Sequence, residues 1–279
     1  MAKNALERIS YVVPTLNSAA TLDLTLLSLK SQKEVSIEII VVDSGSTDGT
    51  LDICQRWNVP VLYAEPGNMY QAINLGLNQC QTEWLGYMNS DDWLYPDSTA
   101  RLIAFGKESK ADIVYGKCDY TDGCGRFLYS FAPAQSRQLL PLFKRGIFGF
   151  AQQAAIFRKS VYQHLNGFNE AEYYLSADAE FYLRALQSNF SFSRLSGPSV
   201  ACFRRHQNQL THQKARDIQL EKQKRREKAG QTTLKDWIMV TQWRLENVPH
   251  YLIRFLRPSL LADKIVLTHS ANVGADSEV

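Results

Sequence analysis

Two adjacent carboxylates, Asp91 and Asp92, stand in the turn Asn89-Ser90-Asp91-Asp92, directly after the apolar run Trp84 to Met88. Carboxylate oxygens on a turn suit Mg²⁺ or Mn²⁺, and such an ion would neutralise a bound diphosphate. The pair also has a plainer reading as a helix start, with Asp92 as the cap and Pro96 in the first turn. Asp43 and Asp48 lie in a second loop and strengthen the metal reading. Thr15 and Asn17 follow a third apolar run, Ile9 to Val13, which Pro14 stops.

These groups need a scaffold that brings three loops to one place. Ile9 to Val13, Ile37 to Val42, Val61 to Ala64 and Trp84 to Met88 read as short buried strands. Between them, residues 19 to 30 carry Leu22, Leu26 and Leu29 at helical spacing behind Asn17 and Ser18 as caps. Thr50 to Trp57 and Tyr70 to Gln79 read as two more helices. Strands alternating with helices predict an α/β fold, a mainly parallel sheet covered on both faces. Ligands of such sheets bind at the carboxyl ends of the strands, where Thr15, Asn17, Asp43, Asp91 and Asp92 all fall. Further on, Ile113 to Tyr115 and Phe127 to Phe131 predict strands around the Asp122-Gly123 turn. Ser176 to Leu186 predicts a helix and Val200 to Phe203 a strand.

Composition narrows the classes. The chain has 279 residues, 45% apolar and 21% charged, within the globular range. No apolar stretch is long enough to span a membrane, and the N-terminal residues lack the pattern of a signal peptide. Five cysteines without C-x-x-C spacing argue against a zinc site or a disulfide framework, so a reducing cytoplasm is the expected setting. Residues 211–279 hold 12 Lys/Arg against 8 Asp/Glu, so the basic excess is confined to a C-terminal segment. No G-x-G-x-x-G follows the first strand, which disfavours a dinucleotide-dependent oxidoreductase.

The ordered segments Pro14-Thr15-Leu16-Asn17, Val41 to Thr50, Tyr70 to Gly76 and Met88-Asn89-Ser90-Asp91-Asp92 resemble those of family 2 glycosyltransferases with the GT-A fold. Gly167-Phe168-Asn169-Glu170 and Ser176 to Arg184 fit as well. The resemblance covers roughly residues 8 to 210 and implies a domain 1–210 followed by a helical extension, 211–279. It implies an inverting transferase that moves a sugar from a nucleotide diphosphate donor, UDP-linked by default, to a saccharide or lipid-linked hydroxyl acceptor in surface polysaccharide or glycolipid assembly. Carried onto this sequence, Pro14, Thr15, Asn17, Asp43, Asn74, Ser90, Asp91 and Asp92 would bind the donor. Asp91 and His206 would hold Mn²⁺ or Mg²⁺, and Asn89 replaces the first Asp of the family's D-x-D. Asp178 would be the base that takes the acceptor's proton, although an acid at a helix start commonly only stabilises the helix dipole. Arg184 fits a structural ion-pair partner.

Gln71 and Lys117 depart from the family's frequent residues and bear on donor identity. A second reading is a partner subunit of the same fold that binds nucleotide-sugar without turnover. The run Lys222 to Lys228 reads as a solvated helix face rather than a nucleic-acid site. In the extension, Trp237, Trp243, Tyr251 and Phe255 with Arg244, Arg254 and Arg257 suggest either packing on the domain or a second subunit, or peripheral contact with an anionic bilayer at the inner face of the membrane. Residues 271–279 read as a frayed tail.

Overall fold

β1 (Glu7–Thr15) and β2 (Val35–Asp43) pair in parallel along their whole length, from Glu7 against Val35 to Thr15 against Asp43. β3 (Val61–Tyr63) extends the sheet beyond β2, and β4 (Trp84–Tyr87) pairs with β1 on the other side. This register puts the last residues of β1 and β2 side by side, with the loop after β4 next to them. The computed structural model describes residues 6–206, 214–249 and Leu252.

Helices cover both faces of the sheet. α1 (Leu22–Lys30) buries Leu22, Leu26 and Leu29 against Ile9, Val13 and Val41. It starts three residues later than its leucine spacing predicts. The Ser18 carbonyl accepts from the amides of Thr21 and Leu22, while Asn17 takes a left-handed conformation (φ 51°) that turns its side chain towards the loop after β2. α2 (Thr50–Arg56) follows the Asp48 loop. α3 (Met69–Gln79) lies on the other face, capped by the Asn68 carboxamide. Gly76 permits its close approach, since a Cβ there would stand 2.7 Å from a Val12 methyl and 2.9 Å from one of Val42.

The second half completes the sheet and adds a smaller one. β5 (Trp93–Leu94) is followed by α4 (Ser98–Glu108), β6 (Ile113–Tyr115), β7 (Cys118–Thr121), β8 (Phe127–Phe131) and α5 (Ser136–Lys144). Then come β9 (Ala155–Arg158), α6 (Lys159–His164), α7 (Ala177–Gln187), β10 (Phe192–Arg194) and β11 (Ala201–Arg204). The main sheet has the order β10-β6-β9-β4-β1-β2-β3, parallel except for β9, which runs antiparallel between β4 and β6. The smaller sheet has the order β5-β11-β7-β8. Asp92 precedes strand β5 rather than a helix, so the helix-cap reading of the acid pair does not hold.

Beyond the stretch 207–213, which lies outside the described residues, the chain forms α8 (Ala215–Ala229) and α9 (Leu234–Glu246). Both return to the body of the protein. Ala229, Val240 and Trp243 are buried in the same core as Leu139, Leu142 and Phe181. The Trp243 ring meets Phe131 at 5.9 Å, Asp236 accepts from Lys144 at 2.9 Å, and the Arg145 guanidinium lies 3.7 Å over the Trp237 ring. The expected division at residue 210 is therefore not a boundary of packing. Of the alternatives for the aromatic segment, Trp243 follows packing on the domain. Tyr251, Arg254, Phe255, Arg257 and the tail 271–279 lie outside the described residues. Among the described residues, no helix is long and apolar enough to cross a membrane.

Candidate active site

The loops after β1, β2 and β4 meet through side chains at the carboxyl end of the sheet. The Asn17 amide donates to Ser46 Oγ at 2.8 Å, and Asn17 Oδ1 accepts from the Thr47 amide at 2.9 Å. Ser18 and Ser90 share a hydroxyl–hydroxyl hydrogen bond of 2.8 Å, tying the first loop to the third. Asp43 closes its own loop. It accepts from Thr15 Oγ1 at 2.9 Å, Ser46 Oγ at 2.5 Å, and the amides of Gly45 at 3.0 Å and Ser46 at 2.9 Å. A carboxylate has about four acceptor positions, so these donors saturate it. Thr15 and Asp43 are buried, and Pro14 is built into β1 beside them.

The antiparallel pairing of Cys202 with Trp93 carries the chain after β11 back along the acidic turn. His206 Nε2 consequently lies 2.8 Å from Asp91 Oδ2, across 115 residues of sequence. Both side chains remain partly accessible, 27% for His206 and 21% for Asp91. Asp92 points the other way. It is fully buried, with Oδ1 accepting from the Arg204 amide at 3.0 Å and Oδ2 from Asn89 Nδ2 at 3.3 Å. Burial, and then the charge of Asp91, raise its pKa well above the ordinary carboxylate value. The expectation that Asp92 faces a metal or sugar is thus corrected: its carboxylate braces the turn against β11, because the following strand must turn inward to pair.

Asn74 is also turned to an internal task. Its carboxamide donates to the Phe168 carbonyl at 2.8 Å and to Glu170, and accepts from the Phe168 amide at 3.0 Å and Tyr162 Oη at 3.0 Å. The left-handed Gly167 (φ 75°) makes room, since a Cβ there would stand 2.8 Å from Asn74 Oδ1. Asn74 therefore joins α3 to the loop before α7 rather than presenting a free carboxamide to a donor.

Asp178 sits in the first turn of α7, half-buried, and accepts from Tyr70 Oη at 2.9 Å. Tyr70 is buried against Tyr87 and Phe168. Burial raises the Asp178 pKa above the ordinary value, while the Tyr70 hydrogen bond and the Arg225 charge pull it down. A carboxylate of raised basicity at a helix start, with one oxygen held, suits a proton acceptor. Arg184 pairs with Glu180 at 2.8 Å and donates to the Gly167 carbonyl at 2.8 Å, the structural task its place in the sequence suggests. Tyr70 and Arg225 escape a reading of the sequence as partners of Asp178. Tyr70 lies within a matching motif but carries no signal of its hydroxyl's direction, and Arg225 lies in a run of charges. A groove lined by Arg8, Gln32, Glu38 and Gln81 lies at the opposite end of the sheet, near the starts of β1 and β2, away from these groups.

Comparison with known proteins identifies the family and the fold. The pattern described as "Glycosyl transferase family 2" matches residues 10–165, more than half of the chain. The "PGL/p-HBAD biosynthesis glycosyltransferase" of Mycobacterium bovis is 31% identical over 202 residues, covering 70% of this chain and 75% of that protein. The chain belongs to glycosyl transferase family 2. Among solved structures, Staphylococcus aureus TarS residues 1–349 in complex with UDP superimposes with a TM-score of 0.61 at 21% identity, over 80% of this chain and 65% of that one. The match thus spans just under two thirds of that TarS chain. The mannosyltransferase PcManGT of Pyrobaculum calidifontis, in complex with GDP-Man and Mn²⁺, superimposes with a TM-score of 0.59 at 17% identity, over 90% of this chain and 73% of that one. The fold is therefore the GT-A fold, and the protein is a glycosyltransferase of family 2.

Proposed function

We propose that the protein is a metal-dependent, inverting transferase that moves a sugar from a nucleotide diphosphate donor to a hydroxyl of a saccharide or lipid-linked acceptor. The observation that carries this reading is the approach of His206 to Asp91 at 2.8 Å beside the loop ends of β1 and β2. An imidazole nitrogen and a carboxylate oxygen form a donor set that Mn²⁺ accepts, and Mg²⁺ less readily. Among the described residues no third His, Cys, Asp or Glu joins them. That matches an ion that takes its remaining oxygens from water and substrate phosphates. Asn89 Oδ1, in the same turn, is buried without a hydrogen-bond partner among the described residues, a further oxygen in need of one. When bound, the ion would offset charge on the departing diphosphate.

The chain's own groups divide the remaining work. Asn17, Ser46 and Thr47 join the first two loops and would present their exposed polar groups to the donor. Asp43 reaches a base N–H or ribose hydroxyl by exchanging the Ser46 hydroxyl for it, with Thr15 keeping the carboxylate in place. Ser90 and Asp91 face the diphosphate. Asp178 takes the acceptor's proton as the hydroxyl attacks the anomeric carbon opposite the leaving group, which inverts the configuration. Pro14, Asn74 and Asp92 support this surface from within.

The outer face of α9 supports acceptor delivery at a membrane. Leu234, Ile238 and Leu245 recur on one side of the helix and are 78%, 61% and 65% exposed, with Lys235 and Arg244 on the same helix. An apolar stripe beside basic residues suits an anionic bilayer. A thermal-shift screen of UDP, GDP, UDP-GlcNAc and GDP-mannose with and without Mn²⁺ tests the reading, because a ligand of the native state raises the melting temperature. Release of UDP or GDP follows turnover. Stabilisation without turnover in the presence of acceptor saccharides and lipids favours the partner-subunit reading. The absence of any nucleotide effect overturns both.

A further inference from the structure

α8 carries Glu221, Lys224, Arg225 and Lys228 at the spacing of one helix face. All of them reach the segment that leads into α7. Glu221 accepts from the amides of Tyr174 at 2.8 Å and Leu175 at 3.0 Å, and from Ser176 Oγ at 2.5 Å. Arg225 donates to Ser176 Oγ and to its carbonyl. Lys224 and Lys228 pair with Glu172 at 2.8 and 2.9 Å and lie over the Tyr173 ring. The two ammonium groups hold the Glu172 pKa down to about 2.

Arg225 is buried, and a buried guanidinium is a costly way to stabilise a helix contact that apolar residues could make. Its placement nevertheless has a local consequence. Ser176 is the N-cap residue of α7, yet its side chain makes no cap hydrogen bond. The hydroxyl is committed to Glu221 and Arg225 instead. The entry of α7 is thus fixed from outside by α8, and Asp178 is two residues further on.

We infer that Glu221 and Arg225 are positioning residues for Asp178, clamping the first turn of α7 so that its carboxylate faces the acceptor. The inference rests on Asp178 being the base. Among the described residues, Tyr70 from α3, Tyr87 from β4, Tyr182 from α7 itself and Arg225 from α8 interact electrostatically with that carboxylate. Arg225 brings a positive charge to it, so its loss makes the carboxylate easier to protonate.

The test uses full-length protein with ¹³C-labelled aspartate carboxyl groups, Asp178→Asn identifying the Asp178 resonance. In Arg225→Gln the Asp178 titration moves to higher pH, and Arg225→Lys returns it towards wild type. With UDP-GlcNAc and GDP-mannose as donor probes, Arg225→Gln and Glu221→Gln lower kcat about tenfold or more while KM for the donor stays within about twofold, as displacement of one reacting group predicts. An element that served folding alone would lower the melting temperature and leave the titration where it was. If Arg225→Gln does not fold, Arg225→Lys and Ser176→Ala are compared in its place. A wild-type Asp178 titration in folded Arg225→Gln, or in Ser176→Ala where Arg225→Gln does not fold, overturns the inference. So does wild-type kcat in Arg225→Gln while Asp178→Asn is inactive, and in that case the proposed reaction stands. Wild-type turnover in Asp178→Asn removes the base assignment itself, and the clamp's role with it.

Discussion

Tyr70 Oη donates to Asp178 Oδ1 at 2.9 Å, joining the first turn of α3 to the first turn of α7 across 108 residues. The phenol is buried and its own pKa is driven well upwards, by burial first and the neighbouring Asp178 charge second. It therefore stays a donor through the whole working range. One oxygen of Asp178 is thus occupied and oriented by the phenol.

Asp178→Asn keeps the Tyr70 contact but removes the proposed proton acceptor. Donor binding by calorimetry should stay near wild type, while transfer falls by about 10²- to 10⁴-fold, the usual contribution of a general base. Tyr70→Phe should keep activity but move the acid limb of the kcat/KM profile to higher pH, because the lost hydrogen bond favoured the charged carboxylate. Wild-type transfer by Asp178→Asn would sink the assignment.

The same carboxylate carries a stability cost. Its pKa in the folded protein lies above the unfolded value of about 3.9, so the folded state binds the proton more tightly. Stability from this group is full below that value and is lost as pH rises through the folded pKa. At pH 7, Asp178→Asn should therefore melt at or above the wild-type temperature, with the gap closing as pH falls towards about 4. A clear fall in melting temperature at pH 7 contradicts this sign.

Asp91→Ala should weaken Mn²⁺-dependent donor binding and turnover together, and His206→Ala should act in the same direction by a smaller factor. The readout is donor affinity as a function of Mn²⁺ concentration. If the Mn²⁺ dependence of Asp91→Ala superimposes on wild type, the two residues do not hold the ion.

Trp243 and Trp237 lie on the same helix with different surroundings. Trp243 is buried against Phe131, and its truncation to Ala should cost about 3–5 kcal/mol in denaturant unfolding. Trp237 is 45% exposed, and its truncation should cost less than half as much. Trp243→Phe should cost less than Trp243→Ala as well, since the indole nitrogen has no hydrogen-bond partner among the described residues to lose. Equal losses at the two tryptophans would contradict the packing described for α9.

Full-length protein should bind anionic vesicles weakly and release them as salt is raised, because screening shortens the reach of surface charge. Removing everything after Gly230 would also remove Trp243 from the core, so the cleaner variant is Ile238→Glu with Leu245→Glu. Vesicle sedimentation at low salt checks the point. Absent sedimentation combined with a dimer in light scattering would make the stripe a subunit contact instead.

The parts of this architecture set by local apolar pattern were legible in the residues alone. Val12, Val13, Val41 and Val42 announce the two central strands, and their polar successors, Thr15 and Asp43, announce the loop ends. The resemblance carried Asp91, His206 and Asp178 to their positions, and the fold brings the first two within 2.8 Å. β9 was not legible, because Ala155–Arg158 is short and pairs antiparallel with strands far away in sequence. The inward turn of Asp92 depends on β5, two residues long, finding β11. The clamp on α8 gives no periodic apolar signal, since its working face is made of Glu221, Lys224, Arg225 and Lys228. Such a face looks like a solvated charge run until the segment it grips is known.

The hold of α8 on Ser176 also sets an order of events during synthesis. Glu221 follows Ser176 by 45 residues. At about 5–20 residues per second, a ribosome takes about 2–9 s to supply them. During that interval β1 to β9 and the loops after β1, β2 and β4 have already been supplied, while the start of α7 lacks its outer clamp. On the proposed reading, a nascent chain would thus have its donor loops before the turn that carries Asp178 is fixed, and α8 would complete that turn.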